Sequence, residues 1–360
     1  MASPRSGYFF EVNLGNRCNM RCKFCFEQGS GYTNIAASKE DLSYFAGYMR
    51  YTKERARTSV KVSIFGGEPL VHLDTLVPFI HELSSFADYA EIVTNGLGVQ
   101  QHEAEIDEMQ SAMGVGRFSV AVSYNFTLQD ETRQAGTYEK IRDSIRLLCS
   151  KGYFVNSPVV FTPDTIHRIG EMFDDFMALR RETGGRNRLT FNYFVPEGVP
   201  FSVVKEDVLR AELARIKSAI EDPANGLTYE TFRYRTFGAH RSEHRRDCIF
   251  QDVRAALCPD GAIYPGYDVM HSTEYAKNLL RIGRVGDPYR QLDINIRRLM
   301  RTLNNDPPKQ CWSCPSQCRM VPWRTLKDDV SQYNQMPSPA RCKVVGIIGE
   351  YLPIAGVSRG

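Results

Sequence analysis

Long apolar runs are missing from this chain of 360 residues. None approaches the roughly 18 residues that a membrane helix needs, which excludes a spanning helix. The opening stretch MASPRSGYFFEV has one arginine and no extended apolar region. It does not read as a secretory signal, so a cytoplasmic location is expected by default. An excess of charge is missing as well. The formal net charge is +3, and nucleic-acid binding usually calls for a concentrated basic face. Neither nucleic acid nor a membrane is expected as a partner. Repeats and low-complexity tracts are also absent. What is present, 42% hydrophobic and 24% charged residues, is the composition of an ordinary globular protein able to bury a core of useful size.

Cysteine is the informative residue type. There are 10, at positions 18, 22, 25, 149, 248, 258, 311, 314, 318 and 342. In a chain without an export signal, such clusters point to metal or catalysis rather than to disulfides. Cys149 stands apart and reads as a small buried hydrophobe.

The hydrophobic pattern predicts strands over 8–14, 61–65, 89–94, 117–123, 153–161 and 188–194. Helices are predicted over 38–56, 73–87, 101–113, 138–150, 165–182 and 204–222. Six strands alternating with helices argue for right-handed βαβ units and a parallel sheet. After Pro196 the alternation stops. From Cys248 onward the chain reads as loop-rich, with little periodic apolar surface, and is expected to need metal to hold it.

The motif Cys18-Asn-Met-Arg-Cys22-Lys-Phe-Cys25 directly follows the first strand. In a parallel α/β fold that position is the C-terminal mouth of the sheet, where ligands bind. A cubane cluster normally takes four thiolates, so three local ones would leave one iron open to a small molecule. Arg21 and Lys23 add positive charge that favours thiolate. A zinc site completed by a distant residue is the alternative. At the end of the second strand stands Phe65-Gly66-Gly67-Glu68-Pro69. Its glycines permit a close backbone approach to a ligand, and its carbonyls can accept from an ammonium group. Thr94-Asn95-Gly96 closes the third strand and Val122-Ser123 the fourth, followed by Asp130 and Arg133. The Arg133 fork suits a carboxylate; its alternative is a solvated surface charge, as that of Asn95 is a turn residue.

Together, the Cys-x₃-Cys-x₂-Cys loop with Phe24 before its last cysteine and the Gly66-Gly67-Glu68-Pro69 motif resemble the radical S-adenosylmethionine superfamily, over about residues 8–200. The resemblance implies a partial TIM barrel of about six βα units, with a [4Fe-4S] cluster on Cys18, Cys22 and Cys25. It implies S-adenosylmethionine bound near Phe24, Gly66, Gly67, Glu68, Pro69, Asn95, Ser123 and Arg133. Chelated by the open iron, that molecule would be cleaved by one electron to a 5′-deoxyadenosyl radical, which abstracts hydrogen from an unreactive carbon. A flavodoxin- or ferredoxin-type electron donor is then expected.

Cys311-x₂-Cys314-x₃-Cys318 with Cys342 supplies four more thiolates. By number and spacing they suit a structural zinc or a closed cluster. Behind a radical domain this region resembles the SPASM extension, which carries auxiliary clusters. Cys258-Pro-Asp-Gly261-Ala-Ile-Tyr264-Pro265 matches that extension's short hairpin, with Cys248 at its upstream cysteine. The pattern departs at Gly266, where a cysteine is usual, and is one thiol short later. The resemblance therefore implies one auxiliary [4Fe-4S] cluster, on Cys311, Cys314, Cys318 and Cys342. Cys248 and Cys258 are left over. Three readings are open for them: further ligands, buried apolar residues, or hydrogen-atom donors in an epimerisation. Asp268 is a candidate base or an ordinary turn carboxylate. His240, His244 and Cys248, four apart, are a possible metal triplet, but the arginines around them favour a basic helix.

The expected organisation is a barrel over 1–203, a helical linker over 204–247 and a loop-rich, cysteine-containing auxiliary-cluster domain over 248–360. The expected activity is radical modification of a peptide or protein. With the cysteine loop starting at residue 18, either a separate peptide-recognition protein or a leader-independent substrate is expected. The alternatives are radical dehydrogenation or epimerisation of a small molecule, such as a sugar or aminocyclitol, and a zinc-binding structural protein.

Overall fold

A computed structural model describes residues 8–25, 27, 34–184, 189–194, 204–228, 231–234, 253–266, 269–270, 274–300 and 339–352. Each strand predicted from the pattern is present: β1 (Tyr8–Asn13), β2 (Val60–Phe65), β3 (Tyr89–Thr94), β4 (Phe118–Val122), β5 (Val155–Val160) and β6 (Leu189–Phe194). Between them run α1 (Lys39–Ala56), α2 (Leu73–Ser84), α3 (Glu103–Met113), the single turn α4 (Gln129–Thr132), α5 (Tyr138–Ser150) and α6 (Ile169–Glu182), with α7 (Glu206–Glu221) after β6.

The sheet then grows at both edges. A short β7 (Phe232–Tyr234) pairs in parallel with β6. On the other side β8 (Val253–Leu257) pairs in parallel with β1. Next to β8 lie β9 (Ala262–Tyr264) and β10 (Gly283–Arg284), both antiparallel to their neighbours. The order is β10-β9-β8-β1-β2-β3-β4-β5-β6-β7. This is an α/β partial barrel whose parallel strands all present their C-terminal ends to one mouth.

The local chemistry explains the helix boundaries. Ser38 caps α1 by accepting from the Asp41 amide at 3.0 Å, and the Asp41 carboxylate accepts from the Ser38 amide at 3.1 Å. Asp130 holds the start of α5, accepting from the Thr137 and Tyr138 amides at 2.9 and 2.8 Å. The α7 stripe of Leu209, Leu213, Ile216 and Ile220 is buried, and its 3- to 4-residue spacing is that of one helical face.

Strand alternation sorts side chains between two environments. Phe10 and Val12 enter the core, Phe10 meeting Phe45 and Tyr48 of α1 edge-on. Glu11 and Asn13 take the opposite face, toward the barrel interior, and are also buried. Near β4 an aromatic group carries the packing. Phe126 stacks on Phe191 at 5.1 Å and meets Phe176 edge-on at 5.8 Å.

The segment after Cys248, expected to be loop-rich, holds regular structure beyond β8 and β9: α8 (Glu274–Leu280), α9 (Tyr289–Met300) and α10 (Pro339–Tyr351). Leu292, Ile296 and Leu299 of α9 and Val344, Val345, Ile347 and Ile348 of α10 are buried. The α9 stripe is interrupted by Asp293, Arg297 and Arg298, which conceals it in composition but not in spacing. Tyr289 anchors α9 on α1, donating to the Tyr44 carbonyl at 3.1 Å and packing its ring, tilted, 5.7 Å from that of Tyr51. Among the described residues no helix is long and apolar enough to cross a membrane.

Candidate active site

The loop after β1 is tied to the loop after β2 by main-chain hydrogen bonds. Leu14 N–H donates to the Phe65 carbonyl at 2.8 Å, Gly67 N–H to Gly15 at 2.6 Å, and Glu68 N–H to Arg17 at 2.8 Å. This lacing requires both glycines. Gly66 has φ +142°, and a Cβ there would stand 2.6 Å from the Gly15 carbonyl oxygen. A Cβ on Gly67 would fall on the Arg17 carbonyl. The close approach expected of these glycines is thus made to residues 15–17, the stem of the cysteine loop.

Glu68 is fully buried. Its Oε1 accepts from Leu70 N–H at 3.0 Å and the Thr94 hydroxyl at 2.6 Å; its Oε2 accepts from Asn95 N–H at 2.6 Å. Burial pushes its carboxyl up against the pull of these donors. Glu68 therefore binds the β2 loop to the β3 loop. Pro69 begins a short 3₁₀ turn over Pro69–Val71 beside it.

Asn95 carries the connection onward. Its Nδ2 donates to Asn19 Oδ1 at 2.7 Å and lies 3.7 Å from Cys18 Sγ. The Met20 amide also points at Cys18 Sγ, at 3.4 Å. Burial pushes the Cys18 thiol up; the Met20 amide opposes this, Glu68 adds to it, and Asn95 opposes it. Ser123 follows β4 and is half-buried, its amide held by the Thr94 carbonyl at 2.8 Å.

Arg133 is not a solvated surface charge. It is 8% exposed. Its Nη1 lies 3.6 Å from Cys22 Sγ, its Nε donates to Asn125 Oδ1 at 3.4 Å, and its guanidinium lies 4.9 Å from the centroid of the Phe24 ring. Lys23 N–H donates to the Thr132 carbonyl at 3.1 Å, which ties the cysteine loop to α4. Cys18, Cys22, Cys25, Phe24, Gly66, Gly67, Glu68, Pro69, Asn95, Ser123 and Arg133 thus gather where β1 to β4 end.

The donor set fits a thiolate-held cluster. Three thiols share one loop, and N–H groups aim at two of the sulfurs, as anionic sulfur favours. Among the described residues, no three of Cys, His, Asp and Glu are grouped to hold a single metal ion. A cubane offers each thiolate a different iron, so its ligands need not converge on one point.

Several neighbours lie outside the sequence motifs. Asn13 donates to Glu27 Oε1 at 2.9 Å and accepts from Gly15 N–H at 2.9 Å. Burial raises Glu27 to about 7, against the Asn13 hydrogen bond. Deeper in the barrel, Glu11, Ser63, Glu91 and Ser119 are register neighbours across β1 to β4. Asn156 bonds Glu91, and Thr190 donates to Asn156 at 2.8 Å. The polar residues Ser63, Glu91 and Ser119 within the apolar strands KVSIF, YAEIVT and FSVAV were the available clue.

Cys258 follows β8, is fully buried, and has its thiol pushed up by burial, with Asp260, Glu27 and Glu11 adding to the shift. Cys342 lies on α10, but its side chain is outside the described residues, as are Cys248, Asp268, Cys311, Cys314, Cys318, His240 and His244.

The site is thus a thiol-bearing loop at the mouth of a parallel α/β barrel, a place where such folds bind ligands. Residues 12–176 match the model of the Radical SAM superfamily, and the chain carries a radical SAM domain. That superfamily implies a [4Fe-4S] cluster and S-adenosylmethionine. In sequence, the chain is similar to GTP 3′,8-cyclase of Clostridium perfringens (strain SM101 / Type A), 28% identical over 144 residues, 38% of this chain and 41% of the relative. It is 31% identical over 114 residues to GTP 3′,8-cyclase of Aquifex aeolicus, 31% of this chain and 33% of the relative. The matches thus span about two fifths or less of those relatives' length. In fold, it is similar to native anSMEcpe with bound AdoMet, with TM-score 0.66, 17% identity and 96% of each chain covered. Streptococcus suis SuiB bound to precursor peptide SuiA gives TM-score 0.62 and 16% identity, with 93% of this chain and 76% of that chain covered.

Proposed function

We propose that this radical SAM enzyme modifies a peptide or protein substrate. The supporting observation is how far the fold likeness reaches. It covers 96% of the chain in anSMEcpe, which was also solved with bound AdoMet and Kp18Cys peptide, and 93% in SuiB with its precursor peptide. It therefore extends past the barrel into the segment carrying β8 to α10.

In this reading Cys18, Cys22 and Cys25 hold the cluster, and the bound cluster with S-adenosylmethionine supplies the radical. The chain's own residues arrange that site. The lacing of Gly67 and Glu68 to residues 15–17 sets the loop's height above the strands. Glu68 fixes Asn95, and Asn95 in turn holds Asn19 and faces Cys18. Ser123 and the backbone after Phe65 offer polar groups to S-adenosylmethionine, while the polar ring of Glu11, Ser63, Glu91 and Ser119 offers hydrogen-bonding partners lower in the barrel. An auxiliary cluster on Cys311, Cys314, Cys318 and Cys342, a hydrogen-atom donor at Cys248 or Cys258, a base at Asp268 and a flavodoxin- or ferredoxin-type donor complete the proposal.

A second reading, radical chemistry on a small molecule, is favoured by the sequence matches to GTP 3′,8-cyclases. The test is anaerobic turnover of the reconstituted chain with dithionite, S-adenosylmethionine and deuterated candidates. Deuterium entering 5′-deoxyadenosine from a peptide supports the first reading, and from a small molecule the second. A colourless protein holding zinc and no sulfide would refute both.

A further inference from the structure

We propose that Arg133 sets the reduction potential of the iron–sulfur group by holding a buried cation against the Cys22 sulfur. The inference rests on the reading that Cys18, Cys22 and Cys25 hold that group.

The guanidinium is fixed on three sides. Nη1 lies 3.6 Å from Cys22 Sγ. The Phe24 ring lies 4.9 Å away, within cation–π range. Nε donates to Asn125 Oδ1 at 3.4 Å. Asn125 is itself immobilised. Its Nδ2 donates to Thr132 Oγ1 at 3.1 Å and to the Val160 carbonyl at 3.2 Å; its Oδ1 also accepts from Val160 N–H at 3.3 Å, and its own N–H donates to Gln129 Oε1 at 2.9 Å. The ends of β4 and β5 thus determine where the charge sits. Cys18 receives neutral donors from Met20 and Asn95; at Cys22 the donor is a cation.

Electron uptake makes a thiolate-ligated cluster more negative. A cation within hydrogen-bond reach of a ligand sulfur, shielded from water, stabilises the reduced state more than the oxidised one. Arg133 therefore raises the potential and brings the cluster within range of a biological reductant. A residue that merely packed the loop would leave the potential unchanged once the cluster is loaded.

The experiment is a redox titration of the full, anaerobically reconstituted chain without S-adenosylmethionine, followed by electron paramagnetic resonance. Arg133→Gln is expected to keep the wild-type iron and sulfide content but to titrate at a more negative midpoint. At a poise where the wild type is half reduced, its reduced signal should fall severalfold. Arg133→Lys, which keeps the charge without the planar fork, should fall between. A loaded Arg133→Gln chain with the wild-type midpoint overturns the proposal. If that variant fails to load, Asn125→Ala and Arg133→Lys decide, and wild-type midpoints in both overturn it. A wild-type chain that takes up no iron and sulfide refutes the underlying reading instead.

Discussion

Replacing Glu68 separates a structural carboxylate from a ligand-facing one. Its two oxygens accept three hydrogen bonds, at 2.6, 2.6 and 3.0 Å, in a fully buried position. Glu68→Ala leaves the Leu70 and Asn95 amides and the Thr94 hydroxyl without their acceptor. An orphaned buried donor costs about 1–3 kcal/mol. Rotation of the Thr94 hydroxyl and relief of the carboxylate's own desolvation offset part of this. A loss on the order of 3–5 kcal/mol is expected. Glu68→Gln keeps one oxygen. Its amide nitrogen can face the Thr94 hydroxyl, which can turn to accept, so the Leu70 amide is the main loss, at about 1–2 kcal/mol. Because Asn95 hangs from Glu68 and faces Cys18, iron incorporation should follow the same order. Urea unfolding followed by circular dichroism, with iron and sulfide analysis, measures both. A Glu68→Ala chain within about 0.5 kcal/mol of wild type, or a Gln variant as costly as the Ala variant, would refute the reasoning.

Gly66→Ala combines a φ of +142° with a Cβ 2.6 Å from the Gly15 carbonyl oxygen, so about 1–3 kcal/mol and much of the iron loading should be lost. Gly136→Ala has φ +75° but open space around the Cβ, and should cost only about 1–2 kcal/mol with loading intact; equal loading defects in the two variants would count against the lacing argument. Glu182 accepts from Arg142 at 2.6 Å and Arg146 at 2.8 Å. The Arg142 hydrogen bond, aided by Arg146 against partial burial, holds its carboxyl below the ordinary value. With a folded value below the unfolded one, its stabilisation is complete at neutral pH and fades as pH falls through and below the carboxylate range. The urea-midpoint gap between wild type and Glu182→Gln should therefore close on acidification, and a pH-independent gap would contradict the assignment.

The barrel was legible in the sequence because each βα unit is a local pattern. YFFEVN, VKVSIF and YAEIVT read as strands without knowledge of their neighbours, and parallel connectivity follows from alternation with helices. The cysteine triplet and the glycine pair were legible for the same reason, since each lies within one loop at a strand end. Three features were decided only by tertiary structure. Glu68 turned out to hold Thr94 and Asn95, 26 and 27 residues away. Arg133 reached Cys22 across 111 residues. β8 joined β1 across most of the chain, carrying the Cys258 hairpin onto the barrel sheet. Such pairings depend on which surfaces meet once the sheet has curved. Periodicity records only whether a side chain is to be buried; the curved sheet selects its partner.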